Sequence, residues 1–162
     1  MARLQWYGGE KEILSLQAEL RRFLSRSGAL SSLLMDTAGR LLTMVGTVVP
    51  QFDITSFVSL TASDFAANQE LARLLGEESF HDLYHQGDVH GVYISHLPGG
   101  MLVAVLFDRT TTLGLVRHAL KKTKPRLEPL LAEALRPRPA TAGDLDGDRL
   151  DRIADDIDRL FD

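Results

Sequence analysis

The sequence predicts an α+β domain of order α-β-β-α-β-β-β-α, and three observations predict it. Segments of helical period alternate with short segments of strand period. Neighbouring strand segments are joined by the short links Asp36-Thr-Ala-Gly39, Gly87-Asp88 and Pro98-Gly-Gly100, which suit hairpins and leave no room for a crossover. The 162 residues, 44% hydrophobic and 25% charged, match one ordinary globular core.

The first helix covers residues 10–27. Ile13, Leu16, Leu20, Phe23 and Leu24 form its buried stripe, and Gly28 follows as the C′ residue. Strand segments at 29–35 and 40–47 then form a hairpin, and Pro50 breaks the pattern. The second helix runs from Asp53 or Ile54 to Leu75 and stops at Gly76, with Asp53 or Thr55 as N-cap. On a helical wheel Phe57, Leu60, Asp64, Ala67, Leu71, Leu74 and Leu75 share one side, which is expected to be buried. Val58, Ser59, Ala62, Ala66, Gln69, Glu70 and Arg73 share the other, expected to be exposed. Its small residues suit either close approach of a partner or a plain solvated face.

Segments 80–86, 89–97 and 101–107 form an antiparallel meander. The continuously apolar 101–107 is expected at its centre. The third helix starts near Thr111 and carries Val116, Leu120, Leu127, Leu130, Leu131 and Leu135; Pro125 is expected to kink or restart it. The domain boundaries follow: an N-terminal extension at 1–9, the domain at 10–136, a proline-rich linker at 137–147, and an acidic amphipathic helix at 148–162. In that last segment Leu150, Ile153, Ile157 and Leu160 recur at helical spacing, with Phe161 adjoining. So short a helix orders only against a surface.

Composition excludes several classes of function. The absence of cysteine rules out disulfides, thiolate metal sites and a cysteine nucleophile. No apolar run spans a bilayer and the N-terminus lacks a secretory core, so the expectation is a cytoplasmic protein without membrane insertion. The net charge of −4 is concentrated at the end of the chain: residues 140–162 hold eight Asp and three Arg, leaving a nearly neutral body. That balance gives nucleic acid no basic face. The run Arg117, Lys121, Lys122, Lys124 and Arg126 lacks interleaved aromatics and reads as a solvated helix face.

His81, His85, His90 and His96 have no recognised zinc spacing, so no metal or other cofactor is expected. Residues 144–148, Asp-Leu-Asp-Gly-Asp, alternate acids as a calcium loop does. Arg149 and Asp155 stand where that loop needs Gly and Glu, so an acidic turn at a helix start is the better reading. No P-loop and no nucleophile elbow is present, and no catalytic residues are expected.

Leu33-Leu-Met-Asp-Thr-Ala-Gly-Arg-Leu-Leu42, Leu60-Thr-Ala-Ser-Asp-Phe-Ala-Ala67, and the run 102–108 followed by Thr112-Leu-Gly-Leu-Val-Arg117 resemble the roadblock/dynein-light-chain family. His85-Gln-Gly87 with Val92-Tyr93, and the tail Ala154-Asp-Asp-Ile-Asp-Arg-Leu-Phe161, are similar to its MglB branch, regulators of the Ras-like GTPase MglA. The resemblance implies the roadblock fold: a five-stranded antiparallel sheet with the second helix on one face and the other two on the opposite face.

It also implies a homodimer whose paired second helices receive one MglA-like small GTPase in its GTP-bound state. Ala62, Ala66, Gln69, Glu70 and Arg73 would then be contact residues. The implied activity is GTPase activation without an active site of its own, achieved by stabilising the GTPase in its active conformation. Arg73, then Arg109, are the candidates should an arginine finger be used. Leu150, Ile153, Ile157, Leu160 and Phe161 would dock on the GTPase as a C-terminal helix linked to nucleotide exchange. The process implied is cell polarity or motility, with concentration at a cell pole. The alternative is a roadblock scaffold that binds a small GTPase without accelerating hydrolysis.

Overall fold

The computed structural model describes Trp6 and residues 8–137. The expected tail helix, and all of the linker beyond Pro137, lie outside the described residues. Eight elements follow in the predicted order: α1 (Glu10–Ser27), β1 (Ser31–Asp36), β2 (Leu41–Gly46), α2 (Ile54–Leu74), β3 (Asp82–Gln86), β4 (His90–Leu97), β5 (Met101–Asp108) and α3 (Leu113–Leu135).

The strands form one antiparallel sheet of order β2-β1-β5-β4-β3. The hairpin and the meander meet where β1 pairs with β5, so these two strands are central. All of β1, and β5 from Met101 to Phe107, are buried, as strands covered on both faces must be. Alternation then assigns the side chains. Leu34, Val103, Val105 and Phe107 pack under α1 and α3 with Leu16, Leu20, Phe23, Leu120 and Leu127. Leu33, Met35, Leu102 and Ala104 point the other way, to Val58 and Phe65 of α2. The roadblock arrangement, with helices on both faces, is therefore present.

Local chemistry fixes the joints. Asp36 closes the β1–β2 turn: its Oδ1 accepts the amides of Ala38 at 3.0 Å and Arg40 at 2.9 Å, and its Oδ2 accepts Arg40 Nε at 2.7 Å. Gly39, in the left-handed region at φ 79°, lets α2 lie on that turn. A Cβ at residue 39 would stand 3.1 Å from Ser59 Cα and 3.5 Å from Ala62 Cβ. Asp53 caps α2, accepting the Ser56 amide at 3.1 Å.

The expected restart at Pro125 does not occur. α3 is one helix through both Pro125 and Pro129. Each proline denies an amide to the carbonyl four residues earlier, at Lys121 and Pro125. Both prolines and Lys121 are exposed, so water satisfies what the helix leaves open.

Candidate functional site

α2 has two apolar faces, and among the described residues only one of them is covered. Val58, Thr61, Ala62, Phe65 and Ala72 are buried toward the sheet. On the far side Leu60, Leu71, Leu74 and Leu75 are 69, 52, 82 and 73% exposed. At 100° per residue, Leu60, Ala67, Leu71 and Leu74 fall within an arc of about 60°, roughly opposite Phe65. Scattered exposed leucines mean little, but a contiguous apolar stripe on one helix marks a surface suited to contact with another molecule.

The buried face is turned relative to the one expected from the sequence: Ser59, Ala66, Glu70 and Arg73 are exposed as expected, but the leucines and the pair Val58 and Ala62 change places. The leucine side is outward and the side with Val58 and Ala62 is inward. The physical reason is the close seat of α2 on the β1–β2 turn, which only small side chains permit. Ala62 is 6% exposed and serves that seat, so it is not part of an outer surface. Gln69 is half-buried, its Nε2 donating to the Phe80 carbonyl at 2.7 Å. Ala66, Glu70 and Arg73 are exposed along one flank of the leucine stripe, and Arg73 is ion-paired to Glu70. Leu150, Ile153, Ile157, Leu160 and Phe161 lie outside the described residues.

β3 borders this surface. Among the described residues it is an edge strand with β4 as its one sheet neighbour, and only its Leu83 is half-buried. Its outer backbone groups are open to pairing with another chain. The edge is tied to α2 by His85, whose Nε2 lies 2.6 Å from Asp64 Oδ2; Asp64 Oδ1 also accepts Asn68 Nδ2 at 3.1 Å. Asp64, out of place in the leucine stripe by hydropathy, is thus a polar link from helix to edge strand. His96 stacks on Phe65 with ring centroids 5.7 Å apart. Burial lowers its pKa from the ordinary histidine value, and the nearby Lys124 and His81 charges add to this.

Sequence reasoning missed the outward leucines because both faces of α2 have helical apolar spacing. The signal was present in side-chain size: a face of Val, Thr and Ala fits under a helix lying close to a sheet, whereas four leucines beside an Asp do not. Among the described residues, no helix is long and apolar enough to cross a membrane.

The Roadblock/LC7 domain model matches residues 16–107 of the chain. Among solved structures, MglB of Myxococcus xanthus is 32% identical with a TM-score of 0.68, the match covering 73% of this chain and 95% of that one. The gliding protein MglB of Thermus thermophilus is 28% identical with a TM-score of 0.74, covering 82% of this chain and all of the other (100%). An MglB with a tetrameric arrangement is 29% identical, with a TM-score of 0.75 and coverage of 82% and 99%. Comparison with curated protein sequences finds no match.

Proposed function

The chain belongs to the Roadblock/LC7 domain family, and on that footing we propose that it acts as a homodimeric activator of an MglA-like small GTPase. The observation that carries this reading is the leucine stripe of α2, left exposed by the described residues, beside the edge strand β3. Two copies that lay their α2 helices side by side cover each other's leucines. The flanks holding Ala66, Glu70 and Arg73 then form a composite floor, small at the centre and bordered by paired charges. The similarity to MglB structures supports the GTPase as the partner seated there.

Activation by such a surface requires no residue of this chain at the phosphates. The GTP-bound GTPase exchanges between conformers, and the dimer need only bind the competent one more tightly. Moving a population from 1:99 to 99:1 takes a differential affinity of about 10⁴-fold. Arg73 is held along the helix by Glu70, so it serves the floor and not as a finger. Leu150, Ile153, Ile157, Leu160 and Phe161 make a second contact with the GTPase, away from its nucleotide, through which the tail promotes exchange.

Single-turnover GTP hydrolysis by the MglA-like GTPase, titrated with this protein, tests the proposal. Acceleration should saturate near two chains per GTPase, vanish in Ala66→Arg, and survive Arg73→Ala within about threefold; a true finger would cost about 10³-fold or more. GTP-dependent binding with an unchanged hydrolysis rate would make the protein a scaffold.

A further inference from the structure

Asp64 is the charged residue that interrupts the leucine stripe of α2. At 100° per residue it stands about 20° from Leu71, on the side turned toward β3. Both of its carboxylate oxygens are engaged. Oδ1 accepts Asn68 Nδ2 at 3.1 Å, and Oδ2 lies 2.6 Å from His85 Nε2 on the edge strand. Asn68 Nδ2 also donates to the Asp64 carbonyl at 2.9 Å, which fixes the helix side of the link. The side chains of Asp64 and His85 are 34 and 56% exposed, so within one chain water still reaches both. A neutral imidazole with its proton on Nε2 and an imidazolium can each make this bond, and at a wet surface the difference in charge is worth little.

A second copy changes that balance. In the dimer proposed above, on which this step rests, the leucine stripe and the β3 edge both lie against the partner. The link from Asp64 to His85 spans the ground between those two elements, so a partner that covers both displaces the water over it. A carboxylate that loses its water needs a compensating charge. Asn68 supplies only a neutral amide, whereas histidine is the side chain that gains a charge between pH 5 and 8. Among the α2 residues turned to β3, Asp64 alone is charged. The same face of the sheet carries His81 just before β3, His90 and His96 on β4, and Asp108 on β5, by the alternation that turns Leu83 and Ile94 to α2. His96 is stacked on Phe65 and His90 stands opposite Asp108 in the register, so neither replaces His85 at Asp64.

We infer that a protonated His85 is the counter-charge with which each Asp64 enters the interface between two copies. Association takes up a proton at each His85, and the dimer tightens as the pH falls. The sign follows from linkage: the pair binds more protons than two separate chains do, so raising the pH favours separation. With two such sites per dimer, Kd changes by up to about 100-fold per pH unit where both imidazoles titrate.

Sedimentation equilibrium of the full chain between pH 6 and pH 8 reads this directly, with circular dichroism at each pH to verify the fold. Kd should rise at least about tenfold over that range. Asp64→Asn removes the charge that needs a partner: its Kd should vary less than about twofold with pH and lie below the native value at pH 8. His85→Gln keeps a hydrogen-bond donor without the charge, and its Kd should stay at or above the native pH 8 value throughout. His81→Gln, His90→Gln and His96→Phe should each retain the native slope. A native dimer whose Kd does not move with pH, or a slope that survives in both Asp64→Asn and His85→Gln, would overturn the role of His85 and leave the dimer standing. Monomers at every pH would remove the dimer itself and the proton uptake with it.

Discussion

Gly46 ends β2 with φ 95°, and a Cβ added there would sit 2.2 Å from the Leu30 carbonyl oxygen and 2.8 Å from Ser31 Cα. Both contacts are backbone, so no side-chain rotation relieves them. Gly46→Ala should lose about 3 kcal/mol, read as a shift in the urea midpoint at unchanged slope. His96 sets a different residue-scale constraint, one of pH. Its folded pKa lies below the ordinary 6.5 because burial against Phe65, then Lys124 and His81, disfavours the imidazolium. The unfolded chain therefore binds the proton first. The stabilisation from a neutral His96 is complete above pH 6.5 and is lost as pH falls toward the folded value. His96→Phe keeps a stacked ring without a titrating group. Denaturant unfolding at pH 7.5 and 5.5 should show a smaller loss of stability in the variant than in the native chain; equal losses would assign the acid sensitivity elsewhere.

At the scale of the element, α2 separates two alanines that a helical wheel places together. Ala62 is against the β1–β2 turn and Ala66 is exposed. Ala62→Arg should lower the melting temperature by several degrees, and Ala66→Arg should leave it within about a degree while abolishing GTPase binding. Thermal scans of both variants decide it. α1, β1, β2, β4 and the central place of β5 were legible in the sequence because each has a single apolar pattern, whereas β3, with only Leu83 half-buried, was legible chiefly through the Gly87-Asp88 turn that follows it. α2 was misread because wheel arithmetic ranks leucine above alanine, whereas a helix lying on a tight turn must put its small residues inward. The site was legible only as a helix; which of its faces is outward depends on the Gly39 contact, a tertiary fact. α3 shows the same limit. Local rules break a helix at Pro125, yet its packed stripe of Val116, Leu120, Leu127 and Leu131 outweighs two missing amides on the water side. Pro125→Ala restores an amide for the Lys121 carbonyl and should raise stability by about 1–2 kcal/mol, after the entropy lost with the proline is deducted.

At the scale of the whole molecule, the question is whether the leucine stripe suffices to hold two chains together. Leu60, Leu71 and Leu74 from each chain contribute about 1.5–3 kcal/mol apiece when fully covered, and so roughly 10 kcal/mol or more as a set. Association costs about 4–15 kcal/mol in lost freedom. These terms are close, so the proposed dimer needs almost the whole stripe, with backbone pairing along β3 as the remaining contribution. A charge in the middle of the stripe should therefore be decisive. Leu71→Asp combined with Leu74→Asp should yield monomers in sedimentation at micromolar concentration. Both leucines are more than half exposed within the chain, so the single-chain fold has little to lose. The native protein should melt higher as its concentration is raised tenfold, because dissociation is linked to unfolding, and the variant's melting temperature should not move. If the monomeric variant also fails to accelerate GTP hydrolysis while keeping its circular dichroism, the floor that receives the GTPase is built only across the pair. A variant that remains dimeric would mean that the leucines face the GTPase directly and that β3 alone joins the chains.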